Sequence, residues 1–108
     1  RWIYLSPHLD DAALSAGVWI YDQTQAGAAV EIWTILCGTP LDAELSPFAQ
    51  LLHFRWGMPT AEEVIRGRRL EEERAAKILG AQNQYFDFLD CIYRRGKNRD
   101  WLYSNIFV

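Results

Sequence analysis

The chain has 108 residues, half of them hydrophobic and 23% charged, with a formal net charge of -3. That is enough for one domain with a modest core, in a composition range that is globular rather than disordered. No basic excess points to nucleic acid, no apolar run is long enough to cross a bilayer, and no secretory signal pattern is present.

Trp2 to Leu5 is short, apolar and β-rich, and Pro7 stops it, which predicts a buried strand. Asp10 or Asp11 can cap a helix that follows, on which Leu14, Gly17, Val18 and Tyr21 recur at helical spacing, with Gly27 as its stop. Val30 to Cys37, VEIWTILC, predicts a second strand that is apolar on both faces, as a central parallel strand is. Strand, helix and strand in so short a span predict a βαβ unit. Gly38 to Phe48 is a loop broken by Pro40 and Pro47, and FAQLLHFRWG is a short apolar helix ending at Gly57. Pro59, then Thr60 with Glu63 three residues on, form a capping-box start to a long helix that runs to about Leu79, before Gly80. Gln84 to Asp90 predicts a third strand, Arg94 to Asp100 is a polar loop, and WLYSNIFV is unassigned. The chain opens directly on a strand and closes on the apolar IFV, so both ends are expected to be cuts through a larger domain.

The two cysteines, Cys37 and Cys91, are far apart and lack CxxC spacing. They are expected to be buried free thiols in a reducing compartment, which makes the cytoplasm the expected location.

The long helix carries an anomaly. Ala61, Val64, Ile65, Ala75 and Leu79 form its apolar stripe, and the same spacing places Arg68 and Glu72 on it. Either the two form a structural ion pair one turn apart, or Arg68 reaches into a pocket.

The densest chemistry is in PHLDD, at the junction between the first strand and the first helix. That is the carboxyl end of a strand in an open α/β sheet, where such folds bind ligands. His8 offers an imidazole nitrogen, while Asp10 and Asp11 offer carboxylates. Capping needs one aspartate and no histidine, so the grouping favours a catalytic metal over a cap alone. His53, in an apolar segment, is expected to be a packed or cleft-wall residue rather than a ligand. Asp87 and Asp90 flank the end of the third strand on the same sheet edge. Asp90 is either a site residue or an ordinary turn residue.

These residues carry a resemblance. SPHLDDAALSAG resembles the N-terminal signature of the PIG-L/LmbE-like family of zinc-dependent deacetylases, PHPDDE followed by a helix start. RRLEEERAAKILGA resembles the family's R-x-x-E, A-A and L-G-A helix, followed by a strand ending like DFLD, and LSPFAQLLHFRWG resembles an insertion found in one branch. The resemblance implies a Rossmann-like, three-layer α/β fold with a mainly parallel sheet, present here as a partial single domain over residues 1–108. It implies removal of N-acetyl groups from N-acetylglucosamine-type conjugates. By position it implies Zn2+ on His8 and Asp11, Asp10 as general base, and Arg68 against the substrate, with Asp90 expected beside it. The family's proline is Leu9 here, and the glutamate after its aspartates is Ala12. Its third zinc ligand and oxyanion-stabilising histidine come from a later H-x-x-H-type motif that does not occur in these residues. The expected partner is a small-molecule amino-sugar conjugate, with no nucleic acid and no transmembrane segment. Two other functions stand beside this one. A non-catalytic sugar-binding relative would share the fold. A magnesium-dependent phosphoryl-transfer enzyme would use oxygen ligands alone, against which His8 speaks.

Overall fold

The computed structural model describes residues 1–41, 44–58 and 60–103. Pro59, expected at the start of the long helix, and residues 104–108 of the unassigned C-terminal stretch lie outside the described residues. In chain order the elements are β1 (Trp2–Ser6), α1 (Asp11–Gln25), β2 (Val30–Thr34), α2 (Pro47–Trp56), α3 (Ala61–Leu79) and β3 (Gln82–Tyr85). A single 3-10 turn, Cys91–Tyr93, follows. The strands form one parallel sheet in the order β1-β2-β3, with Tyr4 opposite Ile32 and Ile32 opposite Asn83. This is the α/β fold with a parallel sheet that the βαβ pattern predicts.

The core joins α1 and α3 to one face of the sheet through Ala12, Ile20, Val30, Ile32 and Ala76. Ile20 and Ile32 are fully buried, and each contributes on the order of 2 kcal/mol. The α1 stripe differs from expectation. Leu14 and Val18 are 84% and 76% exposed, and the helix packs instead through Ala12, Ala16 and Ile20. Both faces of α1 satisfy the helical period, and the small alanines are the ones that let it lie close on the sheet.

Caps fix the other two helices. Thr60 accepts from the Glu63 N–H at 3.1 Å to start α3, and Gly80, at φ 80°, closes it. Ser46 does the same for α2 through the Ala49 N–H, with Pro47 in the first turn. A second cluster, Ala49, Ala61, Ile65, Ile92 and Tyr93, packs α2 against the start of α3 and the 3-10 turn.

The strand ends are shorter than expected. β2 stops at Thr34 rather than Cys37, and β3 is Gln82–Tyr85 rather than Gln84 to Asp90. QNQY carries no apolar alternation, so β3 is defined by backbone pairing with β2 rather than by its side chains. Beyond it the Phe86 N–H still donates to Thr34 O at 2.9 Å. Leu36 and Asp87 then form an isolated antiparallel bridge. Gly38 makes this crossing possible. A Cβ there would lie 2.2 Å from the Asp87 carbonyl oxygen, and its N–H donates to Phe88 O at 3.0 Å. The crossing steers the chain so that Asp90 arrives at the carboxyl edge of the sheet beside β1.

Gly38→Ala is therefore expected to lower stability by about 1–3 kcal/mol, measured by denaturant unfolding. An unchanged midpoint would show that this crossing is not a fixed contact. Cys37 is buried beside it, and burial pushes its thiol up. Native protein is expected to resist alkylation at Cys37 at pH values where the unfolded chain reacts.

Candidate active site

The turn after β1 is held by Ser6. Its hydroxyl donates to His8 O at 2.7 Å and accepts from the Ala12 N–H at 3.2 Å. Ser6 thus does the capping expected of an aspartate. Asp10 occupies the N-cap position of α1, at φ 75° in the left-handed region, and its side chain makes no cap hydrogen bond. A capping side chain normally works from extended backbone, so this conformation leaves the Asp10 carboxylate off the helix N-terminus. For a residue with a Cβ the left-handed region costs about 1–2 kcal/mol. The Asp10 N–H donates to Glu72 Oε2 at 2.8 Å, and a hydrogen bond to a carboxylate contributes about 1.5–3 kcal/mol. The bond is strong enough to offset the strain. Glu72 is fully buried, and its Oε1 has no hydrogen-bond partner among the described residues. Burial raises its carboxyl above the usual range, against the lowering effect of the Asp10 N–H.

Arg68 and Glu72, one turn apart on α3, thus meet at Asp10 from two sides. Arg68 Nη2 lies 3.6 Å from Asp10 Oδ2, and its guanidinium carbon lies 5.6 Å from the centre of the Trp56 ring. Both members of the Arg68–Asp10 pair are about one-third exposed, so the pair adds no more than about 1 kcal/mol to stability. Its significance lies in orientation.

His8 stands between two carboxylates. Its N–H donates to Asp11 Oδ2 at 2.9 Å, and ring Nδ1 lies 3.4 Å from that same oxygen. Ring Nε2 lies 3.2 Å from Asp90 Oδ2. The other Asp90 oxygen accepts from the Ile92 N–H at 3.1 Å and starts the 3-10 turn. Both Asp90 oxygens are therefore engaged. A proton on Nε2 satisfies Asp90 and leaves the Nδ1 lone pair beside Asp11, the arrangement in which a carboxylate orients a metal-binding histidine.

The donor pair suits zinc. Two ligands, each about 2.0–2.1 Å from a tetrahedral zinc, lie about 3.3 Å apart, close to the 3.4 Å between His8 Nδ1 and Asp11 Oδ2. Among the described residues no group of three or more His, Cys, Asp or Glu side chains is arranged to hold a metal. The donors here are a pair.

The five residues expected at the site, His8, Asp10, Asp11, Arg68 and Asp90, lie around two adjoining cavities. His8, Asp11, Arg68 and Asp90 line a cavity of 350 Å³ with Leu52, Trp56 and Ile92. Asp10 opens onto an adjoining cavity of 330 Å³, which shares the Arg68 and Trp56 wall. A larger cavity, 720 Å³, is lined by Arg69, Asp87, Arg95 and Trp101 and includes none of the five. His53 is buried, with Nε2 2.6 Å from the Tyr93 hydroxyl. Ser6 and Trp56 were not singled out from the sequence. Trp56 sits at the last residue of α2, just before Gly57, where helical spacing does not say which way it points.

The family model described as PIG-L, GlcNAc-PI de-N-acetylase, matches residues 3–106. The crystal structure of a deacetylase–teicoplanin complex from the teicoplanin biosynthesis pathway is 34% identical, with a TM-score of 0.91 over 100% of this chain and 42% of that one. The zinc-inhibited form of teicoplanin deacetylase Orf2 is also 34% identical, with a TM-score of 0.91 over 99% of this chain and 40% of that one. The A40926 pseudoaglycone deacetylase Dbv21 is 39% identical, with a TM-score of 0.78 over 87% of this chain and 38% of that one. The chain thus spans about two fifths of the length of these relatives. No curated protein matches it in sequence.

The His8 geometry has a direct test. In metal-free protein, long-range proton–nitrogen NMR correlations are expected to show the proton of neutral His8 on Nε2. In Asp90→Asn a mixture of tautomers is expected, and an Nδ1 proton in the wild type would contradict the arrangement.

Proposed function

The chain belongs to the PIG-L family, whose model is described as GlcNAc-PI de-N-acetylase, and on that premise we propose that it carries the first part of a zinc-dependent deacetylase active site. The reaction is hydrolysis of an N-acetyl or related N-acyl group on an N-acetylglucosamine-type sugar conjugate. The observation that carries this is the His8 Nδ1–Asp11 Oδ2 pair at 3.4 Å, backed by Asp90 on the far nitrogen, with Asp10 next in the chain and held by Arg68.

His8 and Asp11 would hold the zinc ion, with a third donor and the oxyanion-stabilising group supplied from outside the residues described. When bound, zinc supplies Lewis acidity and lowers the pKa of a bound water to about 7. Asp10 has the general-base role. Its carboxylate is not spent on capping the helix, so it is available to take the proton of the attacking water and return it to the amine that leaves. The acyl carbon gains the water oxygen and loses the nitrogen, so the products are a carboxylic acid and a free amino sugar. Arg68, with one edge toward Asp10 and its plane near Trp56, orients the sugar at the cavity wall. Asp90, expected from the sequence beside the substrate, is better read as a positioning residue for His8, because both its oxygens are taken.

The substrate reading draws support from relatives described as a teicoplanin-complexed deacetylase and a pseudoaglycone deacetylase. Among the described residues no helix is long and apolar enough to cross a membrane. Cys37 and Cys91 are free thiols, which supports a reducing compartment such as the cytoplasm.

In the intact protein, Asp10→Asn is expected to lower acetate release from an N-acetylglucosamine conjugate by about 10²–10⁴-fold, with zinc content unchanged by metal analysis. His8→Ala is expected to lose the zinc as well. An intact protein that binds no zinc, and whose Asp10→Asn variant hydrolyses as the wild type does, would overturn the proposal.

A further inference from the structure

We infer that Glu72 is a positioning residue that sets the direction of the Asp10 carboxylate by holding the Asp10 backbone in its left-handed conformation. The inference rests on the deacetylase reading above, since it gives that carboxylate its task.

Three observations meet at this point. Asp10 is at φ 75° although it is not glycine, and Arg99 is the other described non-glycine residue at positive φ. Such an outlier persists where its surroundings impose it. The Asp10 N–H ends on Glu72 Oε2, 62 residues away in the chain. Glu72 itself is fully buried, with its second oxygen unpartnered among the described residues. Burying a carboxylate to satisfy a single backbone N–H is costly where an apolar residue would pack as well. The core begins one turn further along the helix: Ala76 is buried there and packs in one cluster with Ala12 across the interface.

Arg68, one turn earlier on α3, reaches the Asp10 carboxylate. The helix therefore grips both the backbone and the side chain of the same residue. With the amide released from Glu72, Asp10 can relax to the extended conformation usual for an N-cap and turn its carboxylate onto the first N–H groups of α1. The base would then be spent as a cap. The inference concerns orientation and needs only an acceptor oxygen at position 72.

The test uses the intact, zinc-loaded protein and a set of variants. Glu72→Ala is expected to lower kcat by about 10²-fold, with KM and zinc content near wild type. Glu72→Gln keeps an acceptor at the same reach and is expected to restore most of kcat. Glu72→Asp keeps the charge but shortens the reach, and is expected to fall with the alanine variant, which keeps the test open should Glu72→Ala not fold. A second readout needs no activity. In metal-free protein, hydrogen exchange at the Asp10 amide is expected to be slow in the wild type and in Glu72→Gln, and fast in Glu72→Asp. Wild-type kcat in the alanine or aspartate variant would overturn the inference while leaving the deacetylase reading standing. So would a glutamine variant as impaired as the aspartate one, because the acceptor would then not be what matters. Absence of hydrolysis in every protein, wild type included, would overturn both.

Discussion

The hydrogen bond from the Asp10 N–H to Glu72 Oε2, 2.8 Å long, is the constraint on which the rest of the site depends. It ties the turn after β1 to the middle of α3 and holds a non-glycine residue at positive φ. With Asp10 so held, Ser6 takes over the helix cap and both aspartates keep their carboxylates for other partners. Asp11 turns back to the His8 backbone and ring, and Asp10 faces Arg68. Two adjacent carboxylates in one turn would otherwise compete for the same helix N-terminus. Here they point to different partners, one toward the imidazole and one toward the guanidinium.

The same logic explains why the site needs elements so far apart in sequence. The β1–α1 turn carries three of its side chains, α3 contributes Arg68 and Glu72, and the segment beyond β3 contributes Asp90. Packing of α1 and α3 against one sheet face through Ile20, Ile32 and Ala76 sets the first two in register. The crossing of Gly38 and Asp87 sets the third. The backbone thus sets the spacing between His8, Asp11 and Asp90 within the fold itself.

Much of this was legible in the sequence, for reasons that differ by residue. PHLDD could be placed because a strand signal ended at Pro7 and a helix began just after, so its position at the sheet edge followed from local pattern alone. Thr60 and Gly80 gave the bounds of α3 through cap chemistry. The burial of α1 did not follow from its pattern, because Leu14 and Val18 mark an apolar face as strong as the alanine face that the core uses. β3 was displaced because Gln82, Asn83 and Gln84 carry no side-chain signal for a strand held by backbone pairing. Arg68 and Glu72 stand out on an apolar stripe, and spacing within one helix leaves two readings open, a pair with each other or an arginine reaching into a pocket. Their true partner, Asp10, is a long-range contact that no local period encodes.

On the function proposed above, His8 Nδ1 and Asp11 receive zinc while Asp10 stays outside its coordination. Anomalous diffraction from crystals of the intact protein grown with zinc measures this directly. The expected result is a zinc peak within ligand distance of His8 Nδ1 and Asp11 Oδ2, with Asp10 still at positive φ and its amide on Glu72. A peak on Nε2, or with Asp10 as a ligand, would contradict the account.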